Sequence, residues 1–101
     1  MKVYLDDERN TPAGWTRTWV VETTVLLLET RGVTHLSLDN DLGEGNLEGF
    51  KVLDWLEEKV YNDPEFPIPE ITIHSANPVA KHRMQQIQRK LELWRRISLH
   101  E

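Results

Sequence analysis

Apolar and polar positions along the chain follow two spacings, one typical of strands and one typical of helices. Four short β-rich runs, each bounded by turn residues or charges, predict strands at residues 2–5, 16–21, 34–38 and 70–74. Three stretches with near-helical spacing of apolar residues predict helices over residues 22–30, 47–61 and from 78 onward. The segment 9–15 contains Pro and Gly without helical periodicity and is interpreted as a loop.

Strands that alternate with helices in this way favour a mainly parallel sheet with covered faces. The last helix is the clearest, because its apolar residues recur every three or four positions and Asn77-Pro78 is a good helix start. The pattern therefore predicts a small three-layer α/β domain with about four mainly parallel strands.

Length and composition limit the number of domains, the possible metal ligands and the expected location of the protein. The chain has 101 residues, 39% of them apolar, which predicts one globular domain spanning residues 1–101. It has no cysteine, so a metal ion would need carboxylate, carbonyl or imidazole ligands. The longest apolar run, residues 25–28, is too short to span a membrane, and no leader-like segment opens the sequence. We expect a cytoplasmic protein without a membrane partner.

Charge is unevenly distributed along the chain. The net charge is −5, the wrong sign for a protein that grips duplex DNA mainly through its phosphates, so duplex binding is not expected. Residues 79–101 carry six basic and two acidic residues, and the rest of the chain is strongly acidic. An acidic body with a basic tail suits a cation beside an anionic ligand, although a solvated basic helix face is the simpler explanation of the tail alone.

Carboxylates follow two of the predicted strands. Asp6 and Asp7 come after the first strand, and Asp39 and Asp41 come after the third. Because the carboxyl ends of parallel strands meet at one edge of a sheet, these groups are expected to gather there and to bind Mg²⁺ or Mn²⁺. The alternative is that each pair is a solvated strand end or a turn.

The fourth strand ends in His74 and Ser75, and a new helix begins directly afterwards. His74 is a candidate for acid–base catalysis, and its alternative is a structural role. The free N–H groups at the helix start favour a phosphate, which Ser75, Asn77, Lys81 and the loop residue Arg9 would bind. The alternatives are a plain helix cap at Asn77, a solvated Lys81 and a surface ion pair for Arg9.

Four tryptophans are interpreted first as core or rim packing. For Trp15 there is an alternative, in which its loop covers the site and its ring stacks on a nucleotide base.

These residues resemble a response-regulator receiver domain, with an acidic pair after the first strand, an aspartate ending the third and a hydroxyl ending the fourth. More closely, Leu-Asp-Asp-Glu-Arg at 5–9, Ser-Leu-Asp-Asn-Asp-Leu-Gly at 37–43 and Ile-His-Ser-Ala-Asn-Pro at 73–78 resemble the cyclic-phosphate processing receiver family. The resemblance implies a flavodoxin-like fold and a role with cyclic phosphates of nucleotides or RNA in phage or bacterial conflict or RNA repair. Two features depart from the pattern: no fifth strand with a lysine is visible, and Asn40 replaces the family's usual histidine.

The leading hypothesis is a magnesium-dependent phosphoesterase, a hydrolase acting on a phosphate-bearing nucleotide or an RNA end. Asp6, Asp7, Asp39 and Asp41 would hold the metal, directly or through water, and His74 and Asp39 would be catalytic. The alternatives are a signalling receiver with Asp39 as phosphoacceptor, or a non-catalytic module that binds a cyclic nucleotide or a protein.

Overall fold

The computed structural model describes residues 1–100, with side chains through Ser98. Its four strands are β1 (Lys2–Leu5), β2 (Thr16–Thr18), β3 (His35–Leu38) and β4 (Glu70–Ile73). Its three helices are α1 (Val21–Glu29), α2 (Phe50–Asn62) and α3 (Pro78–His100). The order of these elements along the chain is the predicted one.

Two element boundaries differ from the prediction by three residues, and the others differ by at most one. β2 ends at Thr18 and not at residue 21, because Val21 already begins α1. α2 begins at Phe50 and not at residue 47, because the buried Asn40 side chain accepts the Phe50 N–H at 3.1 Å and fixes the start of the helix there.

The strands form one parallel sheet in the order β2-β1-β3-β4. In the aligned register, Val3 lies beside Leu36 and Leu36 beside Ile71. This arrangement confirms the predicted flavodoxin-like, receiver-like α/β class with four parallel strands. Because all four strands run the same way, their carboxyl ends share one edge, and that edge positions the candidate site.

The hydrophobic core lies on one face of the sheet. The strand residues of that face are Val3, Leu5, Leu36, Leu38, Ile71 and Ile73, all of them buried. They form one cluster with buried residues of all three helices, such as Leu28, Leu53 and Met84. The helices therefore cover the same face of the sheet.

The opposite face is polar. Strands β1, β3 and β4 contribute to it, in that order, Lys2 and Tyr4, His35 and Ser37, and Glu70 and Thr72, as the register requires. Here the Trp15 ring meets Tyr4 edge-on at 6.3 Å between centroids and His35 at 6.2 Å. The ring of Trp15, from the segment that connects β1 to β2, thus covers part of this face.

The start of α3 follows a local sequence signal. Asn77 caps α3, its Oδ1 accepting the backbone N–H groups of Val79 and Ala80 at 3.1 Å each.

Within the described residues, we found no helix with the length and apolar character needed to cross a membrane.

Candidate functional site

Three carboxylates meet at the carboxyl edge of the sheet. Asp6 and Asp7 follow β1, Asp39 follows the neighbouring β3, and one oxygen from each lies within 4.8 Å of the others. The Asp39 N–H donates to the Leu5 carbonyl at 3.0 Å, which holds the two strand ends together. Clustered carboxylate oxygens are the donors that a hard divalent cation prefers.

Asp6 is the most deeply held member of the cluster, with no exposed surface. Its Oδ1 accepts the N–H groups of Glu8 at 2.8 Å and Arg9 at 2.9 Å, and its Oδ2 lies 3.0 Å from Nε2 of His74. Burial by itself raises the pKa of Asp6, but these hydrogen bonds outweigh it and leave the pKa below its usual value. Asp6 is therefore ionised at neutral pH.

The pKa of Asp39 is shifted in the opposite direction, above its usual value. Burial raises the pKa of its carboxyl, the Asn40 N–H at 2.8 Å partly offsets this, and the negative charge of Asp6 raises the pKa further. Ionised Asp39 is thus disfavoured where it stands. A bound cation would relieve this cost.

His74 is fixed by three neighbours. Its Nδ1 lies 2.7 Å from the Ser37 hydroxyl, its Nε2 contacts Asp6, and its ring stacks on Tyr4. Burial lowers the pKa of His74, while contact with Asp6 partly restores it. A neutral imidazole that accepts from Ser37 and donates from Nε2 to Asp6 satisfies all these contacts.

Arg9 lies at the rim of the carboxylate cluster, as predicted. Its Nη1 donates to the carbonyl of His74 and lies 3.6 Å from Asp6 Oδ2. Its side chain is 44% exposed, so donors of the guanidinium remain open to a ligand. The ion pair that the sequence left open is thus made with Asp6.

The other predicted phosphate ligands lie around the start of α3. Ser75 is buried, and its Oγ accepts the Asn77 N–H at 3.1 Å. The Asn77 cap occupies two of the helix N–H groups that the phosphate prediction requires, and Lys81 is exposed. The phosphate-binding roles of Ser75, Asn77 and Lys81 stay predictions.

Asp41 does not join the cluster of three carboxylates found among the described residues. Its side chain is exposed and accepts a hydrogen bond from Asn40 Nδ2 at 3.3 Å. Asn40 points inward instead, where its Nδ2 also donates to Glu48 at 3.0 Å. The loop after β3 therefore offers Asp39 to the cluster and separates Asp41 from it.

Sequence reasoning missed two partners of His74, namely Tyr4 and Ser37. Both lie on the polar face of the sheet and are mutual register partners on β1 and β3. The signal was the alternation in β3, where Ser37 stands between Leu36 and Leu38. Such alternation indicates a face without an apolar covering, and it places Ser37 beside the end of β4.

Two exposed or half-buried tryptophans lie at opposite edges of the sheet. Trp15 precedes the start of β2, with Lys2 and His35 as neighbours, and so lies at the amino edge. Trp19 follows the end of β2 at the carboxyl edge and is 57% exposed. The prediction that Trp15 covers the site is wrong, because the loop runs away from the carboxylates before Trp15 is reached.

A cleft between α2 and α3 lies away from this edge. It is lined by the end of α2 and the last turns of α3, including Val60, Tyr61, Trp94 and Ile97. The carboxylate cluster is instead an open site at the strand ends.

Comparison with protein families matches residues 1–90 to the family described as cyclic-phosphate processing receiver domain. Comparisons with curated proteins and with solved structures gave no match. The matched segment contains all four strands, the carboxylate cluster, Arg9 and His74. This chain belongs to the cyclic-phosphate processing receiver domain family.

Proposed function

We propose that this domain is a magnesium-dependent phosphoesterase that acts on cyclic or terminal phosphates of nucleotides or RNA. The observation that carries the proposal is the cluster of Asp6, Asp7 and Asp39, with Arg9 at its rim. A cation site beside an arginine provides two positive groups for one phosphate. Membership of the family supports the same class of substrate.

The three carboxylates differ in how well each could bind Mg²⁺ directly. Mg²⁺ usually takes one or two protein carboxylates and keeps several waters. Asp6 already accepts two backbone N–H groups and the contact from His74, which suits a ligand that acts through water. Asp7 and Asp39, both half-buried, suit the direct positions.

Each remaining group has a role that follows from its contacts. Mg²⁺, when bound, would neutralise phosphate charge and polarise the scissile P–O bond. Arg9 would bind phosphate oxygens, since its guanidinium is half-exposed at the cluster. His74 would be the acid–base group: burial lowers its pKa and favours the neutral ring, whose Nε2 donates to Asp6 and whose Nδ1 is the atom that would take up a proton.

The reaction would open a cyclic phosphate or cleave a terminal one by adding water. The oxygen of the attacking water forms a bond to phosphorus, and the bond from phosphorus to one ester oxygen breaks. The proton that the water gives up passes to that ester oxygen, which becomes a hydroxyl of the opened ring or of the released alcohol.

A test of this proposal is ³¹P NMR with Mg²⁺ and a panel of 2′,3′-cyclic, 3′,5′-cyclic and cyclic oligonucleotide phosphates. We expect metal-dependent conversion of a panel member that is lost in Asp39→Ala. Binding shifts without conversion would contradict an enzymatic role and leave a binding module.

A phosphoacceptor role for Asp39 is the second candidate. Arg9 favours it, because a guanidinium near Asp39 supplies a cation of the kind that steadies a phosphoryl group. A small phosphodonor in Mg²⁺ would then add a phosphoryl mass to the protein, and Asp39→Asn would not acquire it. Absence of the adduct in the unmutated protein would eliminate this candidate.

A further inference from the structure

An arginine–tryptophan pair lies beside the carboxylate cluster. Arg17, in the middle of β2, donates from Nε to the backbone carbonyl of Asp6 at 3.0 Å. Its guanidinium carbon lies 5.3 Å from the centroid of the Trp19 ring. Arg17 therefore joins the Trp19 ring to the residue at the centre of the site.

Trp19 is unusually open for so large an aromatic residue. It is 57% exposed, whereas Trp55 and Trp94 pack against the core. The Arg17 guanidinium lies over one side of the Trp19 ring. The rest of this exposed side chain faces solvent.

The separation between this ring and the site suits a nucleotide. The contacts through Arg17 place the Trp19 ring within about 10 Å of the Asp6 carbonyl oxygen. A nucleotide bridges such a distance with its ribose, placing its phosphate and its base at opposite ends. Trp19 therefore lies where a base would be if the phosphate met the carboxylate cluster.

We propose that Trp19, held by Arg17, is the base-stacking subsite for a nucleoside phosphate whose phosphate binds at the Asp6, Asp7 and Asp39 cluster. This inference rests on the proposed function, which supplies the phosphate end. Stacking tolerates any base because every base has a π-face, so all four bases bind and purines bind more tightly than pyrimidines.

The test compares two ligands that share a phosphate ester and differ in the base. Binding of AMP and of ribose 5-phosphate is measured by titration calorimetry in Mg²⁺, with Mg²⁺ alone as a third titrant. Trp19→Ala is compared with Trp19→Phe, which keeps a stacking ring. Tyr61→Ala is the matched control, because Tyr61 is 79% exposed at the far end of α2.

We expect Trp19→Ala to weaken the binding of AMP by about 5- to 150-fold, the range that corresponds to stacking of one base. Ribose 5-phosphate and Mg²⁺ should bind unchanged, Trp19→Phe should retain most of the AMP affinity, and Tyr61→Ala should bind AMP normally.

Two different failures can be distinguished. If AMP and ribose 5-phosphate bind the unmutated protein equally, or if Trp19→Ala weakens both to the same extent, the base subsite is overturned while the phosphate site stands. If Mg²⁺ and ribose 5-phosphate both fail to bind the unmutated protein, the proposed function is wrong and the subsite is overturned with it.

Discussion

The imidazole of His74 lies flat against the phenol ring of Tyr4, with 4.4 Å between ring centroids and 1° between ring planes. Tyr4 comes from β1 and Ser37, which contacts Nδ1, comes from β3, so the two strands together fix this ring at the end of β4. The contact between His74 and Asp6 is thereby set by the register of three strands. The orientation of the His74 ring therefore depends on the sheet rather than on the loops.

Replacement of His74 separates binding from turnover. If the proposed function holds, His74→Ala should reduce turnover by about 10²- to 10⁴-fold, the usual contribution of a positioned acid–base group. Binding of Mg²⁺ should be largely retained, because the carboxylates remain. Steady-state rates and calorimetry would measure the two effects. His35→Ala is the control, since His35 pairs with Glu70 at the other end of the same face; a fully active His74→Ala would end the assignment.

The stability of the metal-free domain should depend on pH through His74. Burial lowers the pKa of His74 in the folded state below its ordinary value of 6.5. As pH falls below 6.5, the unfolded chain takes up this proton before the folded one, so stability falls. Urea unfolding in EDTA between pH 7.5 and 5 should therefore show a steeper loss for the unmutated protein than for His74→Gln. Parallel pH profiles would show that His74 does not titrate differently in the two states.

Removal of the Asp39 carboxylate should raise the stability of the domain and lower its affinity for Mg²⁺. Burial and the charge of Asp6 raise the pKa of Asp39 in the folded state, so its contribution to stability is present at low pH and is lost as pH rises through that pKa. At pH 7 in EDTA, Asp39→Asn should therefore have a higher Tm than the unmutated protein. The same variant should lose at least about tenfold in Mg²⁺ affinity, because a ligand carboxylate is gone.

Asp41→Asn supplies the matched control for this substitution. Asp41 is exposed and lies outside the cluster of described carboxylates, so its loss should leave Mg²⁺ affinity nearly unchanged. A loss in Asp41→Asn equal to that in Asp39→Asn would place Asp41 among the ligands.

The sequence was sufficient to predict the fold because its signals were local and mutually consistent. Period-two and period-3.6 runs alternated along the chain, and parallel strands connected by helices leave few topologies. The same rule predicted that Asp6, Asp7 and Asp39 would meet, since residues that follow neighbouring parallel strands share an edge. Their chemical roles are still predictions.

Other parts of the site depend on side-chain direction, which local patterns do not determine. Asp39 and Asp41 were equivalent in the sequence, but the buried Asn40 between them turns the chain so that only Asp39 reaches the cluster. The sequence placed Trp15 in the loop 9–15 and Trp19 in a strand over 16–21, and it favoured Trp15 as the residue near the site because the length of β2 was not known. Because β2 has only three residues, it puts one ring at each edge of the sheet.

Gly49 should be essential to the shape of the site, because the loop backbone passes directly against it. A Cβ built on Gly49 would lie 1.8 Å from the Asp39 carbonyl oxygen and 2.9 Å from its carbon, and both are backbone atoms that cannot yield cheaply. Gly49→Ala should therefore destabilise the domain by about 2 kcal/mol or more and weaken Mg²⁺ binding by displacing Asp39. Urea midpoints and calorimetry would measure both. Gly32→Ala is the control, since only Thr30 Oγ1, at 3.5 Å, lies near its Cβ; equal stability of the two variants would contradict the close approach.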